Sequence, residues 1–279
     1  MKPNFIGIGA QKCASSWLYD ILADHPEAAV SATKELDFFS YHYERSYAWY
    51  ERQFPDKPGA RAIGEISPSY FNEASVPERA RLFAPEARIL LSLRDPVERA
   101  LSQHRHLVRI GYVEGPDYSF ETALANNPSY VEQGRYATHL GRWLACFPRE
   151  RIHVVLMDDI KKDAEAAACG VYAFLGIDPN HRSAALHERS NSSYVVRHRG
   201  LGNTVDALRG MAGRAGLGPV WRSVARLGVQ RLYRRLNRKP SEAVIPAPRP
   251  ETLERLRLTF REDVRALEGL LGRGLPTWQ

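Results

Sequence analysis

Asn4 to Leu22 reads NFIGIGAQKCASSWLYDIL, and this stretch decides the fold. Phe5 to Ile8 is a short apolar run of the kind that makes a strand buried on both faces of a parallel sheet. Gly9 to Ala14 is a loop of small residues, and Ser15 or Ser16 is placed to cap the helix that follows. A strand, a tight loop and a helix in direct succession aim backbone N–H groups and the positive end of a helix dipole at one spot. Lys12 adds a full charge there, so the loop is read as an anion nest. A nucleotide-triphosphate loop would place a glycine directly before the lysine and a hydroxyl residue directly after it, for magnesium. Those places hold Gln11 and Cys13, so the anion is expected to bind without a metal.

The 279 residues are expected to form a single α/β domain. No apolar run approaches the roughly 20 residues of a membrane span, and Met1 to Asn4 leads into the first strand without a signal-peptide core, so the expected location is cytoplasmic. Cys13, Cys146 and Cys169 are widely spaced and form neither a disulfide framework nor a zinc motif; they are read as small buried residues. The nine histidines show no metal-ligand spacing, and His104 and His106 are expected on a solvated face or on the acceptor side.

A net charge of +7 raises the question of a nucleic-acid partner, which the distribution answers. Nine Lys or Arg and one Asp fall between Val205 and Lys239, a local balance of +8, so the remainder of the chain is close to neutral. The basicity is one patch rather than a general coating. Within it, Val220, Val224, Leu227 and Leu232 fall near one helical face and Arg222, Arg226 and Arg235 on the others, after a glycine-rich approach. Residues 205–239 are therefore read as a basic helical segment covering an acceptor site, with peripheral membrane contact through the same charges.

Outward from the first loop, His25-Pro26 ends the first helix, and Ala32 to Phe39 is a loop with an apolar exit. Tyr41 to Phe54 reads as a short helix packing over the site. Arg61 to Ile66 is a second strand, Pro77 to Phe83 a helix, and Arg88 to Leu93 a third strand of buried type. Asp95 is a natural N-cap with Pro96 at the first helical position, which puts Arg94 at the carboxyl end of a strand and Ser102 about two turns into the next helix. Gly134 to Phe147 reads as an amphipathic helix, Ile152 to Met157 as a fourth strand and Glu165 to Leu175 as the helix after it. The expected fold is a three-layer, P-loop-like sandwich, a central parallel sheet flanked by helices.

GAQKCASSWLYDIL, then HPE and TKELDFF, then LLSLRDPVERALSQH, resembles the sulfotransferases that use 3′-phosphoadenosine 5′-phosphosulfate (PAPS), above all the branch of the heparan sulfate N- and 3-O-sulfotransferases and their bacterial relatives. The likeness continues through Gly134-Arg-Tyr136, Trp143, Phe147-Pro148 and the closing LRLTFREDVRALEGLLGRGLPTW. The resemblance implies that Lys12, Cys13, Ala14, Ser15 and Ser16 hold the 5′-phosphosulfate, with Ala14 standing in for a glycine and the serines for threonines. It implies that Arg94 and Ser102 hold the 3′-phosphate, that Glu35 is the general base, and that Lys12 also assists the transfer. PAPS would be the co-substrate and 3′-phosphoadenosine 5′-phosphate (PAP) the product, with no metal.

The glycan enzymes carry a lysine in a Glu-Lys-Thr-Pro segment after the second strand; this chain has Glu65-Ile66-Ser67-Pro68, which argues against a heparan-like acceptor. A small-molecule, lipid or glycan acceptor remains open, and Glu65 is the reserve base. His187 to Gly200 lies where relatives close over the nucleotide. The alternatives weighed against this reading are a P-loop kinase using magnesium and ATP, and a non-enzymatic binder of nucleic acid or acidic membrane.

Overall fold

The computed structural model describes residues 2–113, 118–187, 194–196, 238–240 and 245–279. The basic segment 205–239 lies almost wholly outside the described residues, as does most of His187 to Gly200. The chain divides into two compact units, one of residues 1–103, 127–191 and 249–279, the other of residues 104–126 and 192–248.

The first unit is built on five parallel strands, β1 (Phe5–Gly9), β2 (Ala28–Val30), β3 (Ala62–Ile66), β4 (Arg88–Leu93) and β5 (Ile152–Leu156), in the order β2-β3-β1-β4-β5. The parallel α/β sandwich read from the sequence is thus the fold. From β1 the chain crosses to the edge at β2, returns to β3 beside β1, and then passes to the other side of β1 for β4 and β5, so the connections leaving β1 and β4 run in opposite directions. Such a switch point opens a crevice at the carboxyl ends of the strands, where open α/β sheets take ligands.

Two helices cover one face of the sheet, α1 (Ser15–Asp24) and α9 (Ala164–Leu175). Leu18, Ile21 and Leu22 of α1 and Val171, Tyr172 and Leu175 of α9 join Phe5, Val30, Ile66 and Leu90 in one buried cluster. The intervening strand residues Ile6, Ile8, Ile89 and Leu91 point the other way and are equally buried, as the two-residue period of a doubly covered sheet requires. β2 has no counterpart in the sequence reading, because three residues, Ala28-Ala29-Val30, are too short to display a period.

Two expectations are corrected. The helix expected from Tyr41 to Phe54 covers only Tyr47–Glu51 (α2): the Ser46 side chain accepts from Trp49 N–H and starts it there, while Tyr41 and His42 are turned by N–H bonds to the Asp37 carbonyl. His104 is buried rather than solvated; its Nε2 lies 2.8 Å from the Tyr118 carbonyl and its ring stands edge-on to Phe120, within the second unit. That unit also holds α5 (Phe120–Asn126) and an antiparallel pair of short strands, Tyr194–Val196 with Arg238–Pro240.

The chain's end serves the first unit. A long helix, α10 (Pro250–Leu271), lies against α7 (Tyr136–Leu144), and Asp263 of α10 accepts the N–H groups of Ala137 at 3.0 Å and Thr138 at 3.3 Å. α7 has no capping side chain of its own, so a remote carboxylate meets its orphan donors. Gly134 permits this packing: a Cβ there would stand 2.7 Å from the Phe260 ring.

Candidate active site

β1 delivers the loop at the centre of the sheet. Ala10 N–H bonds to the Ser92 carbonyl of β4 at 2.8 Å, tying the loop to the neighbouring strand's end. Gly9, at φ 127°, carries the chain past Pro68, whose carbonyl oxygen would be 2.9 Å from any Cβ at that position. Lys12 (φ 68°) and Ala14 (φ 72°) are left-handed, and alternation of this kind curls successive N–H groups toward one side.

The serines do not cap α1. Ala14 occupies the N-cap without a side-chain bond, and Ser15 and Ser16 stand inside the first turn, where their hydroxyls cannot reach back to the orphan amides. Ser15 is buried, while the Ser16 hydroxyl accepts a 2.9 Å bond from Lys34 Nζ.

Cys13 turns its thiol into the core. Its side chain is fully buried, 3.5 Å from the Tyr136 hydroxyl and 3.4 Å from the Gln11 carbonyl. Burial pushes the thiol pKa up, although the Tyr136 hydroxyl and the charges of Arg99 and Arg94 pull it back. Both arginines therefore stand close to the loop.

Arg94 leaves β4 and pairs with Glu98 at 2.5 Å, and its Nε is buried with no hydrogen-bond partner among the described residues. Asp95 caps α4 (Pro96–Ile110) as expected, accepting from Glu98 N–H at 2.8 Å. Ser102 stands half-buried on the same helix. Arg99, which the sequence reading did not single out, is wholly buried and held by Gln103 at 2.6 Å and the Tyr130 carbonyl at 2.5 Å. Burial lowers its pKa, and its Nε also has no hydrogen-bond partner among the described residues. Nothing local marks it, because a buried arginine and a solvated one look alike in an amphipathic helix.

Glu35 stands at the exit of the loop that precedes Phe38 and Phe39, in left-handed conformation at φ 62°. Its carboxylate is half exposed and meets Lys34 Nζ at 2.8 Å. Since the same ammonium bonds Ser16, Lys34 physically links the glutamate to the first turn of α1. A rim carboxylate paired with Lys34 is the alternative that the sequence offers to a general base at Glu35; the further bond of that ammonium to Ser16 has no signal in the sequence.

Glu65 is placed differently. It is fully buried at the end of β3, accepting from Ser67 Oγ and Tyr70 Oη at 2.5 Å each and from Leu36 N–H at 3.3 Å. Burial is the dominant influence and pushes its pKa up to about 7, against the pull of those bonds. None of this carboxylate is exposed among the described residues. Among the described residues no cluster of His, Cys, Asp and Glu is disposed to hold a metal ion, and no helix is long and apolar enough to cross a membrane.

Residues 2–198 match the family model described as the sulfotransferase domain. The human bifunctional heparan sulfate N-deacetylase/N-sulfotransferase 2 is 30% identical over 197 residues, 63% of this chain and 22% of that protein. Human heparan sulfate glucosamine 3-O-sulfotransferase 5 is 30% identical over 188 residues, 63% of this chain and 54% of that protein. The chain thus spans a fifth to about half the length of these relatives. A sulfotransferase from Alicyclobacillus acidocaldarius superimposes over 100% of this chain and 99% of its own, with a TM-score of 0.73 and 25% identity. The match over residues 2–198, which run from β1 through β4 and α7, shows that this protein belongs to the sulfotransferase domain family.

Proposed function

We propose that the chain transfers a sulfuryl group from PAPS to a hydroxyl or amine, with Glu35 as the general base. The observation that carries this reading is the arrangement at the switch point: a left-handed nest at Lys12 and Ala14, a helix N-terminus free of side-chain caps, and the buried, unpartnered Nε of Arg94 one strand away. Two groups of cationic character at neighbouring strand ends fit a ligand with two separated phosphates.

When bound, PAPS would supply the sulfuryl group and a phosphate leaving group. Lys12 and the N–H groups of residues 13–16 would stabilise the charge that grows on the leaving oxygens, which is where such groups are worth most. Arg94 and Ser102 would fix the 3′-phosphate, setting the in-line approach. Glu35 would take the acceptor's proton, a step typically contributing 10²- to 10⁴-fold. Lys34, already bonded to Glu35 and Ser16, would keep the carboxylate aimed at the loop.

The named relatives act on heparan sulfate, which supports a glycan acceptor. Ile66, where the resemblance implies a lysine in glycan-modifying enzymes, favours a less anionic one.

Calorimetric titration tests the donor. PAP should bind better than ATP with or without magnesium, and Arg94→Ala should weaken PAP by about 1.5–3 kcal/mol, the worth of a charge-assisted bond. A preference for magnesium-ATP would replace this reading with the kinase one.

A further inference from the structure

The loop that bears Glu35 is left-handed at Glu35 (φ 62°) and Asp37 (φ 51°), a conformation that persists in non-glycine residues only when surroundings impose it. Side chains of one segment, Glu65 to Tyr70, hold the amides of this loop, while Arg79 holds the Phe39 carbonyl at 2.7 Å. Asp37 N–H donates to Ser67 Oγ at 3.0 Å, Phe39 N–H to Tyr70 Oη at 3.3 Å, and Leu36 N–H to Glu65 Oε2 at 3.3 Å. Ser69 Oγ donates to the Asp37 carboxylate at 2.5 Å. Three loop amides are therefore held by side chains.

Proton counting gives Glu65 the deciding part. Ser67 and Tyr70 have one hydroxyl proton each, and each donates it to Glu65 at 2.5 Å. Only with those protons directed at the carboxylate do both oxygens present lone pairs to the amides of Asp37 and Phe39. A protonated acid or an amide at position 65 brings donors of its own, which compete with the Ser67 and Tyr70 hydroxyls for the same few acceptors and loosen the hold of those hydroxyls on the loop amides. The remaining titratable neighbour is Tyr50, a buried phenol facing the carboxylate without a geometrically satisfactory bond; Asp37 lies one serine further off.

We propose that Glu65 is the positioning residue of the catalytic loop: its ionised carboxylate orients the Ser67 and Tyr70 hydroxyls as acceptors and so fixes the backbone on which Glu35 stands. The proposal rests on Glu35 being the base, and it denies that role to Glu65, both of whose oxygens are engaged. Burial pushes the Glu65 pKa up to about 7, so the clamp weakens as pH falls through neutrality.

Amide hydrogen exchange on the full-length chain tests it, in parent, Glu65→Gln and Tyr70→Phe, between about pH 6 and 8 and corrected for intrinsic exchange, with PAP affinity measured in parallel. In Glu65→Gln the amides of Leu36, Asp37 and Phe39 should exchange about ten-fold faster, the strand amides and PAP affinity staying as they were. The parent should show the same acceleration toward the acid end of the range and Glu65→Gln none. Tyr70→Phe should release Phe39 most. Unaltered protection in Glu65→Gln overturns the proposal, as does acceleration spread evenly across the sheet. Should Glu65→Gln not fold, a parent profile flat across the range overturns it equally. Glu35→Gln separates the two claims: full turnover there removes Glu35 as base and leaves the exchange result standing.

Discussion

At Ala14 the chain adopts φ 72°, in a place where the resembling enzymes carry glycine. A Cβ in the left-handed region costs roughly 1 kcal/mol, and this exceeds the backbone entropy that alanine saves in the unfolded chain. Ala14→Gly is therefore expected to leave stability unchanged or raise it by up to about 1 kcal/mol while PAP affinity is kept, read by thermal melting and titration. A clear loss of stability would show that the alanine methyl group, packed against the core cluster, matters more than the strain.

Glu35 gives the sharper residue-scale outcome. Glu35→Gln keeps the shape and removes the base, so sulfuryl transfer should fall by about 10²- to 10⁴-fold with PAP affinity unchanged. Turnover like that of the parent would move the proton transfer elsewhere.

Among the elements, α7 is capped from outside its own sequence. Asp263, thirteen residues into α10, takes the Ala137 and Thr138 amides and the Thr138 hydroxyl, and Tyr136 at the start of α7 reaches the Cys13 thiol. Loss of a capping carboxylate typically costs about 1 kcal/mol. Asp263→Ala should lower stability by about that amount, and because α7 buttresses the β1 loop through Tyr136, it should also weaken PAP binding. Unchanged PAP affinity in a destabilised variant would show that α7 carries no information to the loop.

For the molecule as a whole, Glu65 makes stability depend on pH in a direction opposite to an ordinary ion pair. Its pKa is about 7 in the fold against an ordinary 4.5. Between those values the native state holds a proton that the unfolded chain releases, so stability falls as pH rises through the window and the loss is complete above pH 7. At about 1.4 kcal/mol per unit, the parent should lose up to about 3 kcal/mol relative to Glu65→Gln between pH 5 and pH 8. Denaturant melts at the two pH values check this. A difference that does not change with pH would return Glu65 to the ordinary carboxylate range.

How much of this was legible follows from the range of the interactions. Sequence by itself determined the alternation of strands and helices, the β1 loop with Lys12, and the Asp95-Pro96 start of α4, because each is a signal confined to one turn or one period. It also placed Arg94 and Glu35 as candidates, through the motifs around them.

Only the tertiary structure decided which groups meet. The nest arises from left-handed turns at Lys12 and Ala14 rather than from serine caps. The Cys13 thiol faces Tyr136, more than a hundred residues on; Arg99 is interior; and Lys34 bridges Glu35 to Ser16. The clamp of Glu65, Ser67 and Tyr70 on residues 36–39 was equally hidden. Short-range periodicity does not reveal which hydroxyl gives its proton to which carboxylate; that is fixed when β3 is laid beside β1 and the loop before α2 is folded over its end.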